Sequence, residues 1–386
     1  MSRIPACILF VAMSMGFVFA GQDRAVASEK TVKQDVDHDG VIDQIAYLDD
    51  QGDILRVELY NDATGRPLAV QYYTKKKLTR AEKDTNKDGA FDVMIDYGPK
   101  EETVERQDLN FDAVYDMETR YVSGKRVLMK QDLDFDGKME RITVFDKSGE
   151  VEKITVDTNA DGIVDEWQTF GQDCLELFEK DRNHDKQVDL KIFYIEGEKQ
   201  RLVKDENYNG YFEMIQWFDR KPWVAVIEMD ADEDKSFEST SFYNSEGLRQ
   251  KDLGVNQDGR VDRREYFDAS GRLVKSEESS DGAAGLNMAW FYDDAGNPVR
   301  AEKDGNGDGR PDIWYYYNNG KLSTVREDTR YDGRPDLWEE YDASEKIIRQ
   351  SRDLNGDGIP DVTKDFKNPD AVSGSGAVDA QDDSEP

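Results

Sequence analysis

Cysteine, histidine and positive charge are all scarce in this 386-residue chain. Its two cysteines are Cys7 and Cys174, and Cys7 lies in an apolar N-terminal stretch. Loss of that stretch leaves one thiol, so no intrachain disulfide can hold the fold. Cys174 falls at an expected hairpin turn and reads as a bystander thiol, not a nucleophile. The two histidines, His38 and His184, each occupy the fourth position of an acidic loop, where the side chain is expected to point outward. No Gly-x-Ser-x-Gly, Walker loop or zinc-ligand spacing occurs. The 51 basic residues are outnumbered by 84 acidic ones, for a net charge of −33, which excludes a nucleic-acid binder needing a basic face. The apolar fraction, 37%, is low for a thick core, yet aromatics reach 11%, which a disordered acidic chain lacks. A chain short of both disulfides and oil needs another staple, and metal is the candidate.

Long apolar runs are also missing after residue 20, so no integral span is expected in the mature chain. The opening MSRIPACILFVAMSMGFVFA has Arg3 as a short positive region followed by an apolar run. It reads as a signal peptide, with Val18-Phe19-Ala20 as the expected cleavage site and Ala25-Val26-Ala27 as a second. The expected location is therefore extracytoplasmic, either periplasmic or at the cell surface. Residues 21–34 read as a polar lead-in. Residues 367–386, rich in Gly, Ser and Asp, read as a disordered acidic tail.

Between them lies a repeat. With Asp304 as position 1, Asn306 is position 3, Asp308 is 5, Gly309 is 6, Asp312 is 9 and Tyr317 is 14. Position 14 recurs as Tyr73, Tyr97, Tyr121, Phe145, Phe170, Tyr194, Phe218, Tyr243, Phe267, Tyr292, Tyr317, Tyr341 and Phe366, in steps of 24 or 25 residues. Leu48 stands there in the first unit. About fourteen tandem units thus fill residues 35–366. After position 14 come turn sequences such as Asp268-Ala-Ser-Gly271 and Asn318-Asn-Gly320, flanked by short aromatic and β-branched runs. Each unit is predicted to be loop, strand, turn, strand, with the position-14 aromatic as a buried anchor. The predicted fold is all-β, an elongated or spiral sheet of hairpins, with a seven-bladed β-propeller as the alternative.

The loops carry the chemistry. Six show D-x-[DN]-x-D-G-x-x-[DE]: Asp35, Asp37, Asp39 and Asp43; Asp84, Asn86, Asp88 and Asp92; Asp132, Asp134, Asp136 and Glu140; Asp157, Asn159, Asp161 and Asp165; Asp304, Asn306, Asp308 and Asp312; Asp353, Asn355, Asp357 and Asp361. Oxygen ligands at 1, 3, 5 and 9 suit a hard cation such as Ca²⁺, which takes six to eight oxygens. Loops starting at Asp108, Asp181 and Asp230 keep those ligands but have Ala113, Lys186 and Lys235 in place of Gly, and are expected to bind more weakly. The Asp205 loop has Asn209 at position 5. Gly254 stands at position 1 of another loop and Arg330 at position 3 of the Asp328 loop, and two more loops have decayed near Tyr60 and Ser279. An EF-hand needs a bidentate Glu at position 12, where this chain has Ala46, Ile95, Thr143, Gln168 and Tyr315. The loops resemble instead the nine-residue calcium loops of FG-GAP and integrin-type repeats and the acidic loops of thrombospondin type 3 repeats. The FG and GAP segments of the former and the paired cysteines of the latter are absent. Hairpin phrases such as Tyr266-Phe-Asp-Ala-Ser-Gly-Arg-Leu273 resemble the YD repeats of Rhs-type secreted shells.

These readings converge on an exported repeat protein that binds several calcium ions, up to about ten, and serves as a calcium-stabilised structural, surface or adhesion scaffold without enzymatic activity. The alternatives are a periplasmic protein- or glycan-binding propeller and, lower, a calcium-dependent polysaccharide hydrolase or lyase. Trp290, Trp314, Tyr316 and Trp338 would be the aromatic strip for a glycan, although core packing is the better reading of them.

Overall fold

The computed structural model describes residues 30–60, 65–254, 260–280, 285–367 and 372–374. The expected signal peptide lies outside these residues. The chain is all-β. Its only helical element among the described residues is a three-residue 3-10 turn, Pro99–Glu101. Two compact units divide at residues 139 and 140.

Among the described residues, the first unit holds nine strands, from Lys30–Gln34 to Lys125–Gln131, and each pairs antiparallel with the next in sequence. The second holds twenty, from Arg141–Phe145 to Val372–Gly374, in the same consecutive antiparallel order. Each unit is therefore an open antiparallel sheet, not a barrel. At about 4.8 Å per strand, twenty strands extend over roughly 90 Å. The propeller alternative is corrected by this ladder. Blades of four strands would interrupt it every two repeats, and within each unit it runs unbroken. Lys30–Gln34, inside the expected lead-in, is a strand because the first acidic loop needs one on both sides; Lys30 faces Leu48 and Gln34 faces Gln44. In the expected tail, Val372–Gly374 pairs with strand Val362–Asp365, and residues 375–386 lie outside the described ones.

Hairpins close either on two-residue turns, such as Lys75-Lys76 with φ of 50° and 66°, or on Asp-led turns such as residues 146–149. Positive φ at both central residues matches the right-handed twist of the strands. In the latter turns Asp146 accepts the amides of Ser148, Gly149 and Glu150. A register shift between positions 13 and 14, as at Tyr316/Tyr317, recurs in most hairpins.

The position-14 residues are half-buried rather than buried, with two exceptions, Phe145 at 8% exposure and the exposed Phe366 at 42%. The fully covered line is one row over, where small side chains sit: Ala81, Thr119, Thr143, Ser276 and Ala301. Ala301 pairs with Trp290 on one side and Tyr315 on the other. Trp290 lies 5.7 Å from Tyr317 across it. Tyr292 Oη reaches Ser276 Oγ at 3.0 Å. Rings thus lie over small residues on the same face, giving an apolar layer one side chain thick. That layer shields the small residues completely and leaves the rings themselves half in solvent, which explains a stable sheet from so little apolar content.

The opposite face carries position 13. From Phe193 onward it is aromatic in six consecutive repeats: Phe193, Trp217, Phe242, Tyr266, Phe291 and Tyr316. Basic side chains stand between them. Arg201 lies 4.2 Å from the Phe193 ring and 5.6 Å from Trp217, while Lys275 lies between Tyr266 and Phe291. Trp314 and Trp338 share this face with Tyr316, whereas Trp290 is on the other, so the four residues of the expected aromatic strip do not form one surface.

Candidate metal-binding loops

Every loop joins the second strand of one hairpin to the first strand of the next, so all loops of a unit line one edge. The backbone closes each one. The Asp92 amide donates to Lys83 O at 2.9 Å, and the Asp108 amide, position 1 of the next loop, donates to Asp92 O at 2.8 Å. The same handover joins Asp116 to Asp132, Asp165 to Asp181, Asp189 to Asp205, Asp312 to Asp328 and Asp336 to Asp353.

Inside the loop the carboxylates accept amides that the curled chain leaves without partners. Position 1 takes positions 4 and 6: Asp84 accepts Lys87 N at 2.6 Å and Gly89 N at 2.9 Å. Position 3 takes the amide of position 5, and position 5 that of position 7, as in Asp88 N to Asn86 Oδ1 and Ala90 N to Asp88 Oδ1. Position 9 takes position 2, as in Thr85 N to Asp92 at 2.5 Å. Two residues per loop adopt left-handed backbone. Position 6 was legible as the glycine. Position 4 was not; it holds His38, Lys87, Phe111, Phe135, Ala160, His184, Tyr208, Glu233 and Tyr331 at φ between 58° and 67°. None of these is β-branched, as that conformation requires. Ala113, Lys186 and Lys235 adopt φ of 74°, 77° and 77° at position 6, so loss of glycine leaves the loop shape intact.

Positions 1 and 9 are buried in most loops and half-buried in others, as at Asp35, Asp43, Glu238, Asp304 and Asp361, and positions 3 and 5 are exposed. Asp84, Asp92, Asp132, Asp157, Asp165, Asp312 and Asp353 are all at most 8% exposed. The structure gathers Asp35, Asp37 and Asp39, then Asp84, Asp88 and Asp92, then Asp132, Asp134 and Asp136, each set with oxygens within 4.8 Å of one another. Asp43 instead holds Val36 N and Asp37 N. Glu140, buried, is the first residue of the second unit. Asp157, Asp161 and Asp165, Asp304, Asp308 and Asp312, and Asp353, Asp357 and Asp361 keep the amide scaffold without that gathering. Their Asn residues turn an amide toward carboxylates, as in Asn159 to Asp161 at 3.1 Å, Asn306 to Asp312 at 3.4 Å and Asn355 to Asp361 at 3.1 Å.

A fourth gathering is Asp230, Asp232, Asp234 and Glu238. The sequence pattern carried it, but Lys235 at position 6 kept it from the six full loops. Here, and in the Asp108, Asp181 and Asp205 loops that also depart from the full pattern, buried carboxylate oxygens have no hydrogen-bond partner. They are Asp116 Oδ1, Asp189 Oδ1, Glu213 Oε2, Asp230 Oδ1 and Glu238 Oε1. All but Asp230 are position 9. Asp116, Asp189 and Asp230 are at most 2% exposed. Burial pushes the Asp189 carboxyl up, over the lowering effect of the Arg182 and Asn183 amides. Burial also acts to raise Asp304, but there the amides of Gly309 and Gly307 prevail and hold it below the usual carboxylate range.

His184 is exposed, as expected, but it is not without a neighbour. Its left-handed backbone turns the ring to the preceding loop, with Nδ1 3.2 Å from Asp165 Oδ2. Tyr211 likewise reaches forward to Asp230, whose carboxylate pushes the phenol up to about 12. Glu233, at position 4 of the Asp230 loop, accepts the side-chain amides of Asn207 and Asn209 one loop earlier.

No protein-family model matches this chain, and no curated protein does either. Among solved structures, the crystal structure of TcdB2-TccC3-Cdc42 is 15% identical over 84% of this chain and 21% of that one, at a TM-score of 0.21. The crystal structure of TcdB2-TccC3 is 12% identical over 86% and 22%, at 0.20. This chain spans about a fifth of the length of either. At such scores the likeness carries no argument about this protein's fold or activity.

Proposed function

We propose that this protein is an exported, non-enzymatic scaffold whose repeat array is stiffened by calcium bound in its acidic loops. The observation that carries the reading is the set of buried carboxylate oxygens without partners, repeated at one loop position. A buried acceptor left unpaired costs free energy, and one cation per loop would satisfy it together with its neighbours. The donor set is oxygen only, carboxylate and amide, with no thiolate and no converging imidazoles, which favours a hard cation. Several oxygens on a flexible loop favour calcium over magnesium, which demands a smaller, stricter octahedron. Positions 1, 3, 5 and 9 would hold the ion. Its charge would offset the repulsion of gathered carboxylates in a chain of net charge −33. Outside the cytoplasm, calcium near millimolar fills even weak loops.

The test is a far-UV circular dichroism melt in chelator and in about 1–2 mM CaCl₂, with MgCl₂ as control. A calcium-specific rise in melting temperature supports the reading; identical melts in all three would overturn it. A second reading, a glycan-binding face, is favoured by the position-13 aromatic row with its interleaved Arg201, Lys275 and Arg300. Binding of an extended oligosaccharide that Trp217→Ala abolishes at unchanged melting temperature would support it, and a loss of stability instead would make Trp217 core.

A further inference from the structure

We infer that Arg330 is a built-in cation, a tethered positive charge that occupies the metal position of the Asp328 loop and makes that loop independent of calcium. The inference rests on the calcium reading above. The Asp328 loop has the full scaffold otherwise. Asp328, 2% exposed, accepts Gly333 N at 2.6 Å and Asp332 N at 3.3 Å, as Asp157 accepts Gly162 N at 2.6 Å and Asp161 N at 3.2 Å. Asp336 at position 9 is 5% exposed, and its Oδ1 accepts the Thr329 amide and hydroxyl.

What differs is the second oxygen of position 9. In the Asp108, Asp181, Asp205 and Asp230 loops that oxygen is buried and unpartnered. In the Asp328 loop, Asp336 Oδ2 is partnered: it accepts the Thr329 hydroxyl at 3.1 Å and meets the Arg330 Nε cation at 2.9 Å. The same guanidinium lies 3.9 Å from Asp332 Oδ2, at position 5. Its other end reaches Asp353 Oδ2, position 1 of the next loop, at 3.8 Å. The guanidinium lies against Gly356, at position 4 of that next loop, where a Cβ would sit in ordinary contact 3.5 Å from Arg330 Nη1. One side chain at position 3 thus faces positions 5 and 9 of its own loop and position 1 of the following one, where a ligand oxygen would otherwise be. A planar guanidinium with several donors is suited to bridging carboxylates in this way.

The experiment is calorimetric titration of CaCl₂ into the full chain, wild type against Arg330→Asn and Arg330→Met. Arg330→Asn restores the D-x-N-x-D-G-x-x-D pattern and is expected to bind one calcium ion more than wild type. Arg330→Met supplies neither charge nor ligand. It is expected to add no ion and to lower the melting temperature in chelator, with no added recovery in calcium. If wild type binds calcium and Arg330→Asn binds the same number, the inference is overturned while the calcium reading stands. If wild type binds none, the calcium reading itself fails and this inference with it. A melt of Arg330→Met indistinguishable from wild type in chelator would also overturn the built-in cation, whatever the ion count. Should Arg330→Asn be unfolded in chelator, its refolding on calcium addition is the expected result, and failure to refold counts against the inference.

Discussion

Replacing Asp230 with asparagine separates a metal ligand from a mere amide acceptor. In this loop the oxygens of Asp230, Asp232, Asp234 and Glu238 lie within 4.8 Å of one another. Two like charges at that distance repel by about 1 kcal/mol in a water-like medium and about 3.5 kcal/mol at an effective dielectric near 20. Asp232 and Asp234 are exposed, so the lower figure suits them, while Glu238 is half-buried and lies between. The gross relief from neutralising Asp230 is then roughly 3–5 kcal/mol. Asparagine keeps an oxygen for Lys235 N, which Asp230 holds at 3.0 Å, but gives a weaker acceptor to Tyr211 Oη. A net gain of about 1–2 kcal/mol in chelator remains, or a rise of about 2–8 °C in melting temperature for a unit of this size. Calcium reverses the comparison. A wild-type site with a dissociation constant near 10⁻⁴ M gains about 1.8 kcal/mol at 2 mM, and the variant forfeits that gain. The advantage of Asp230→Asn over wild type should therefore shrink by about that amount between chelator and calcium. The assay is a thermal melt of both proteins in both solutions. An equal difference in the two solutions would mean that Asp230 only holds amides.

Three further outcomes follow from the sheet and the loops. Ala301→Leu, at a site with 0% exposure between Trp290 and Tyr315, should cost about 1–3 kcal/mol by overpacking and lower the urea midpoint. Lys186→Gly and Lys235→Gly should raise the melting temperature in chelator, since a left-handed non-glycine residue costs about 1–2 kcal/mol, partly offset by glycine's greater freedom when unfolded. Burial acts to raise the Asp96 carboxyl, but its bonds to Arg80 at 2.8 Å and Arg106 at 2.9 Å outweigh that and lower it. Its stabilising contribution is then present above its ordinary value near pH 4 and lost as pH falls through the lower folded value. Asp96→Asn should accordingly flatten the acid side of a plot of urea midpoint against pH, and an unchanged slope there would refute the assignment.

The repeat, the strand positions and the loop scaffold were legible in the sequence because each depends on residues near in the chain. Asp at position 1 and an acid at position 9 meet through one curl of backbone, so spacing alone reveals them. Burial was less legible. Whether Tyr317 is covered depends on Trp290 of the preceding repeat, and whether Ala301 is covered depends on Tyr315 of the following one. The position-14 ruler was read as buried because rings are usually inside, yet here the rings form the cover. The left-handed position 4 was hidden by its variety, His, Lys, Phe, Tyr and Glu, and only Gly307 and Gly356 hinted at it. That the Asp230 loop keeps its curl without glycine was not legible, because it rests on two backbone bonds, Lys235 N to Asp230 and Ser236 N to Asp234. The contacts of His184 and Glu233 with the preceding loop, and of Arg330 with the following one, cross from one loop to another and had no local signature.

The unbroken ladder has a consequence for ancestry. A closed ring of blades fixes its own membership, because a missing or extra blade leaves a gap or a clash. Here, within each unit and among the described residues, each strand pairs with the strand before it and the strand after it in the chain, and the handover from position 9 of one loop to position 1 of the next recurs from loop to loop. A duplicated stretch of 24 or 25 residues can be spliced in, or an old one dropped, with all remaining registers kept. The tally of repeats is then free to drift among descendants, and a worn loop such as the one near Tyr60 can persist because its neighbours do not need it to complete a circle.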